Sequence, residues 1–276
     1  MGRVADLYRT AFVTGASTGL GREFARMLLA EGVTVWGTSR DPARLADLAR
    51  EHPGRFHPVA LDLRDAAAAL ATFREVDAAA GGCDLLLNNA GFGVFGEFTA
   101  ADFTVWREQL EVMLVLPAAL AHAALPGMRA RGRGALVNIS SLAAEFPLPY
   151  QATYNVTKAG LTALSESLML ETAGSGVIVL DVRPGDYRTD FETSLRRLPG
   201  ADSPRLDRVW RAFAAMMRSG PVPAAAAADL RRALRRGQSG TLRTGRFFQA
   251  VAGPLLARLG SLPLRRRLQA AYFDLR

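Results

Sequence analysis

The 276 residues are 49% hydrophobic and 22% charged, a composition ample for one large core and unlike that of a disordered, collagenous or disulfide-stapled chain. The single cysteine, Cys83, excludes an internal disulfide, and the three scattered histidines, His52, His57 and His122, offer no metal-ligand spacing, so no metal site is expected. The net charge of +8 is uneven: residues 191–276 carry 17 arginines, no lysine and 5 acids, and everything before them is net negative.

From Thr10 the pattern alternates. Residues 11–14 form a short apolar run, a glycine-rich turn follows, and apolar residues at helical spacing run from Arg22 to Ala30. The unit recurs: strand 34–38, helix 42–51, strand 56–61, helix 66–79 and strand 84–88. A long helix is then predicted over 103–131, bent near Pro117, followed by strand 134–139, helix 152–172 and strand 177–182. Alternation of this kind predicts an α/β chain with a doubly wound parallel sheet covered by helices on both faces. No linker interrupts it, so residues 1–276 read as one domain, with a core over 10–191. After Pro184 the rhythm breaks into shorter pieces rich in Pro, Gly, Ala and Arg, and residues 192–276 are expected to form a variable, basic cap that includes a helix over 224–236. No segment approaches the roughly 20 uninterrupted apolar residues of a membrane-spanning helix, and residues 1–9 lack the character of a signal peptide. A cytoplasmic location is the expectation.

The turn Thr14-Gly15-Ala16-Ser17-Thr18-Gly19-Leu20-Gly21 stands between the first strand and the first helix, where a dinucleotide pyrophosphate meets the amides of a helix N-terminus. The second strand ends in Thr38-Ser39-Arg40, where an acid would bind a ribose 2′-hydroxyl; Arg40 instead suits a 2′-phosphate, which points to NADP(H). Further on, Tyr154 and Lys158 stand at i and i+4, on one face of the helix starting near Ala152. Lys158 is the only lysine among 34 basic residues, and an arginine-biased chain that keeps lysine at one position marks a site where a compact ammonium is needed.

The spacing T-G-x-x-x-G-x-G, the Asn88-Asn89-Ala90-Gly91 segment and Tyr154-x-x-x-Lys158 together resemble the short-chain dehydrogenase/reductase family, over Thr10 to about Phe191. The resemblance implies hydride transfer between a nicotinamide and a carbonyl or alcohol carbon of a small or lipid-like substrate. It assigns Ser141, Tyr154 and Lys158 to catalysis, with Ser140 as the competing serine. Ser141 would hold the substrate oxygen, Tyr154 would transfer the proton, and the charge of Lys158 would favour the phenolate and hold the ribose. Cofactor contacts are implied at Gly15, Ser17, Gly19, Leu20, Gly21, Arg40, Asp62, Leu63, Asn89, Ala90 and Gly91, and at Pro184, Gly185 and Thr189 of the segment Pro184-Gly185-Asp186-Tyr187-Arg188-Thr189. Asp62 reads equally as a helix N-cap. One position departs from the pattern. Glu111-Val112-Met113-Leu114 places Met113 where the family's asparagine holds a water of the proton relay, and a thioether cannot donate a hydrogen bond.

Two other readings follow from these departures: an NADP-binding regulatory protein of weak or no activity, and a peripheral membrane protein using the apolar and basic runs 247–251, 255–259 and 264–268. A capping helix with a solvated arginine face explains the same residues, and without interleaved aromatics nucleic acid is not expected as a partner. Phe92, Phe95, Phe146 and Leu148 are expected to line an apolar substrate cleft. Assembly into a homo-oligomer through the two long helices is a further implication of the resemblance.

Overall fold

The computed structural model describes residues 2–189, 195–198, 203–252, 254 and 260–275. The Phe191 end of the expected core and the run 255–259 lie outside them.

Seven parallel strands form the main sheet. In chain order the elements are β1 (Thr10–Val13), α1 (Gly19–Ala30), β2 (Thr34–Ser39), α2 (Ala46–Glu51), β3 (Phe56–Ala60), α3 (Ala66–Ala79), β4 (Leu85–Asn88), β5 (Val94–Phe95), α4 (Phe103–Leu110), α5 (Leu116–Ala130), β6 (Gly134–Ile139), α6 (Ala152–Glu171), β7 (Val177–Pro184), β8 (Arg196–Arg197), α7 (Pro204–Ser219), α8 (Pro223–Arg236), β9 (Gly240–Thr244) and α9 (Leu262–Tyr272). The sheet order is β3-β2-β1-β4-β6-β7-β9, and β5 pairs with β8 in a separate ribbon. The chain winds outward from β1 to one edge, then returns to β4 and winds to the other. The carboxyl ends of β1 and β4 therefore flank the switch point, where an open α/β sheet leaves a crevice for ligands. The central strands β4 and β6 are buried along their whole length, because helices cover both faces.

Three expectations need correction. First, α1 begins at Gly19, three residues before the apolar pattern does, so the last glycines of the turn already form the first helical turn. Second, the helix expected over 103–131 is two helices joined by a π-helical turn at Glu111–Val115, in which the Leu116 amide bonds the Glu111 carbonyl. Pro117 sits in the first turn of α5, where its missing N–H costs nothing. This helical stretch, 103–130, is long and apolar enough to cross a membrane. Here Leu116, Leu120, Ala124, Leu125 and Met128 are buried against β4 and β6 residues and α3, as a core face should be. Third, residues 192–276 do more than cap the sheet, since β9 adds an edge strand to β7 and α8 buries Ala226, Ala227, Leu230, Ala233 and Leu234 in the same core cluster as α1. Gly240-Thr241-Leu242-Arg243-Thr244 carries one large apolar residue and no strand signal of its own. Its pairing is decided by the open edge of β7.

Candidate active site

Every residue singled out for catalysis or cofactor contact lines one continuous cleft of about 1660 Å³ at the carboxyl ends of the strands. At the switch point Gly15 takes φ +69°, a left-handed conformation that glycine adopts without strain. A Cβ on Gly21 would collide with the Gly15 carbonyl and the Asn89 amide, so the turn can close only over glycine. The Asn89 side chain donates to the carbonyls of Thr14 (3.0 Å) and Gly15 (3.2 Å), while the backbone amides of Asn89 and Ala90 donate to Thr14 Oγ1 at 2.9 and 3.1 Å. The Asn-Asn-Ala-Gly segment thus buttresses the glycine turn. Thr18, at the N-cap of α1, makes no side-chain bond to the first-turn amides, which suits an anionic group there.

Arg40 ends the second strand, exposed on the cleft rim together with Arg44 and Arg64. Arg64 Nε donates to both oxygens of Asp62, at 3.0 and 2.9 Å, and this bond, with the charge of Arg40 behind it, holds the carboxyl below the usual carboxylate range. The N-cap reading of Asp62 is overturned, because Asp65 caps α3 by accepting from the Ala68 amide at 2.9 Å. Sequence reasoning missed Arg44 and Arg64: in a chain with 33 arginines neither stands out.

At the other end of the cleft, Tyr154 and Lys158 are buried on the first turns of α6. Lys158 Nζ donates to the Ile139 carbonyl at the end of β6 (2.8 Å) and lies 5.6 Å from the centre of the Tyr154 ring. The Ser141 side chain hydrogen-bonds the Tyr154 phenol and accepts from the Ala143 amide at 3.0 Å. Ser140 turns the other way, donating to the buried carboxylate of Asp181 and lying 3.1 Å from the Val182 carbonyl. The structure therefore brings Ser141, not Ser140, to the tyrosine. The loop between Ser141 and Tyr154 is fixed by Asn155, whose amide exchanges two 2.8 Å bonds with the backbone of Leu148.

The electrostatics differ from the expectation. Burial pushes the phenol of Tyr154 up to about 12, and the charge of Asp186 adds to the effect. Burial also brings Lys158 down to about 8, opposed by Asp181. Desolvation outweighs the hydrogen bond from Ser141, which favours the phenolate, so Tyr154 is protonated at neutral pH. That is the state of a proton donor.

The π turn presents Met113 to the site. It is buried with Val112, Ala143 and Tyr154, and its sulfur accepts from the Phe92 amide at 3.5 Å. The position behind the tyrosine is thus filled by an apolar group held in a defined place. On the substrate side, Phe92, Phe146 and Leu148 line the cleft as expected, but Phe95 does not: it is fully buried behind the wall, its ring 5.0 Å from that of Trp210 and 5.8 Å from that of Tyr150. The remaining wall comes from α7 and from residues 248–249 and 260–273, including Phe213, Met216, Met217, Leu264 and Leu268. Polar wall residues were missed, among them Asp186, Gln249, Tyr272, Arg265 and Gln269. Of these only Asp186 lay inside a recognised motif.

Residues 9–199 match the short chain dehydrogenase family. A 3-ketodihydrosphingosine reductase of Bacteroides thetaiotaomicron is 32% identical over 179 residues, 65% of this chain and 64% of that one. The curated relatives in general are matched over 61% to 74% of their own lengths. A short-chain dehydrogenase from Streptomyces avermitilis superposes with TM-score 0.82 at 32% identity, covering 97% of both chains. A metagenomic short-chain oxidoreductase solved in complex with NADP superposes with TM-score 0.67 at 31% identity, covering 85% of this chain and 96% of that one. With the glycine turn, the Asn-Asn-Ala-Gly buttress and the Ser-Tyr-Lys cluster in one cleft of a seven-stranded parallel sheet, this chain belongs to the short-chain dehydrogenase/reductase family of oxidoreductases.

Proposed function

We propose that this protein is an NADPH-dependent carbonyl reductase acting on a small or lipid-like ketone. The observation that carries the reading is the hydrogen-bonded Ser141–Tyr154 pair, with the buried Lys158 beside it, in a cleft whose rim bears Arg40. A bound nicotinamide supplies the hydride. The amides of the turn containing Gly15, Ser17, Gly19, Leu20 and Gly21 would hold the pyrophosphate, and the Arg40 guanidinium would hold the 2′-phosphate. Asp62 and Leu63 would border the adenine, Asn89, Ala90 and Gly91 would form the floor, and Pro184, Gly185 and Thr189 would border the nicotinamide end. The preference for NADP over NAD is supported by the three-arginine rim and by the NADP complex of a related structure.

Ser141 donates to the carbonyl oxygen and fixes it beside the phenol. Tyr154, protonated at neutral pH, gives its proton to that oxygen as the carbon is reduced. Lys158 stabilises the phenolate left behind. The apolar wall and the relative named as a 3-ketodihydrosphingosine reductase support a lipid-like carbonyl. Outward-facing Val115, Val156 and Leu170 support assembly of a homo-oligomer through the long helices.

Met113 favours a second reading, an NADP-binding protein that turns over slowly or not at all. NADPH oxidation across aliphatic ketones of increasing chain length, beside cofactor binding measured by fluorescence, separates the two. Binding without oxidation of NADPH by any ketone selects the second.

A further inference from the structure

One acid interrupts the apolar wall near the tyrosine. Asp186, in the loop after β7, is half-buried and lines the cleft, close enough to Tyr154 for its charge to act on the phenol. It is held in place. Its amide donates to Gln249 Oε1 at 3.3 Å, and Gln249 Nε2 donates back to the Asp186 carboxylate while also bonding the Tyr272 hydroxyl at 3.0 Å. The same loop is anchored to β9 through the Gly185 amide, which donates to the Thr244 carbonyl at 2.8 Å, and through Tyr187, whose hydroxyl bonds Thr244 Oγ1.

Among the described residues, the second carboxylate oxygen accepts from no side chain or amide, and none of their arginines or lysines lies within ion-pair reach of it. Arg246 acts on Asp186 only through space, its guanidinium being bonded to the Ser219 carbonyl. Burial pushes the carboxyl up, the signature of a charge poorly compensated by the protein itself.

Such a group has a consequence for substrate choice. A simple aliphatic ketone would strip water from the carboxylate and give nothing back, and the oxygen that gains negative charge during reduction would develop it beside a like charge. A ketone carrying a hydrogen-bond donor near the carbonyl removes both penalties. We propose that Asp186, oriented by Gln249, is a recognition group that takes an ammonium or hydroxyl within a few bonds of the substrate carbonyl, with the apolar remainder lying along Met216, Met217, Leu264 and Leu268. The preferred substrate class is therefore an amphipathic amino ketone or hydroxy ketone. This proposal rests on reading the cleft as a carbonyl-reductase site.

The test uses product-like probes, so that binding is read independently of turnover. The protein saturated with NADP⁺ is titrated calorimetrically with 1-amino-2-octanol, 1,2-octanediol and 2-octanol, as wild type and as Asp186→Asn. The wild type should bind one or both donor-bearing probes about ten- to a hundredfold more tightly than 2-octanol, the range expected for a hydrogen bond to a charged group. Asp186→Asn should lose a preference for the ammonium and keep part of a preference for the hydroxyl, which an amide also accepts; the two arms thus tell which donor is recognised. Equal affinities for the three probes in the wild type, or a preference unchanged in Asp186→Asn, overturn the proposal. Should Asp186→Asn fail to fold, Asp186→Ser serves the same comparison, and the wild-type ordering decides if neither folds. A separate assay with NADPH and 1-hydroxy-2-octanone keeps the two readings distinct: selective binding without reduction contradicts the reductase assignment and leaves the recognition site standing.

Discussion

In the proposed reading three side chains set the chemistry, and each carries a measurable consequence. Arg40 stands on the rim with Arg44 and Arg64, where its guanidinium would meet a 2′-phosphate. Arg40→Asp should weaken NADPH by about ten- to a hundredfold, through loss of charge-assisted hydrogen bonds, and leave NADH affinity little changed; fluorescence titration of both cofactors checks it. Lys158 must be an ammonium to hold the phenolate, and burial brings it down to about 8. The charged form prevails below that value and is lost above it, so kcat/KM should fall as pH rises through about 8, with the acidic side flat near neutrality. Met113 replaces a hydrogen-bonding group by a thioether packed on Tyr154. Met113→Asn should speed turnover and shrink the solvent isotope effect, provided that thermal unfolding shows an intact fold. A folded variant with neither change would mean that proton return through this position does not limit the enzyme, and that the methionine shapes the pocket instead.

Among the elements, those from β1 to β7, the short β5 apart, are legible in the sequence for a physical reason. Each carries its own signal, whether the apolar run of Leu85–Leu87, the helical spacing over Ala66–Ala79 or the glycines of the turn, and local preference agrees with the tertiary environment. The π turn at Glu111–Val115 carries no such signal. Its residues, Glu-Val-Met-Leu-Val, are ordinary helix material, and the extra residue in the turn is set by what Met113 packs against. β9 is likewise decided by the neighbouring edge of β7, and Asp186 could be read as part of a motif but not as a wall residue, because its partner Gln249, and Tyr272 bonded to Gln249 in turn, lie 63 and 86 positions further along the chain. The element most dependent on distant residues is α8. Its Arg235 donates to both oxygens of Glu31 at 2.8 Å, and Glu31 also accepts from the Val4 amide at 2.9 Å. Burial opposes the charge on Glu31, but the Val4 bond and Arg235 prevail and keep its carboxyl below the ordinary value. The stability this contributes is present above a pH of about 4.3, the unfolded-state value, and is lost as pH falls through the lower folded value. Glu31→Gln should cost about 1–3 kcal/mol at neutral pH and flatten the acid limb of a thermal-stability profile.

On the scale of the whole molecule, the uneven charge of the sequence becomes a docking device. The basic final third meets acids contributed earlier in the chain, Arg235 on Glu31 and Arg243 on Glu145 at 2.7 Å, and Arg265 adds a bond to the Glu145 backbone carbonyl at 3.2 Å. Glu145 also pairs with the buried Arg183, which holds Asp181 at 2.7 Å beneath the catalytic cluster. The late segments that close the substrate side are thus connected, through carboxylates, to the residues that position Ser140 and modulate Lys158. The cleft is built by the whole fold: the early strands hold the glycine turn, α6 supplies Tyr154 and Lys158, and the last third supplies much of the apolar wall.

The account turns on Tyr154 as the proton donor, so the decisive comparison is Tyr154→Phe against the wild type, with NADPH affinity and NADPH oxidation measured on the same preparations. In the proposed reading the phenol supplies the transferred proton and adds little to cofactor binding. NADPH affinity should stay nearly unchanged while turnover falls by about 10²- to 10⁴-fold, the usual worth of a positioned acid. A Tyr154→Phe protein that binds NADPH and retains most of its turnover would contradict the central claim.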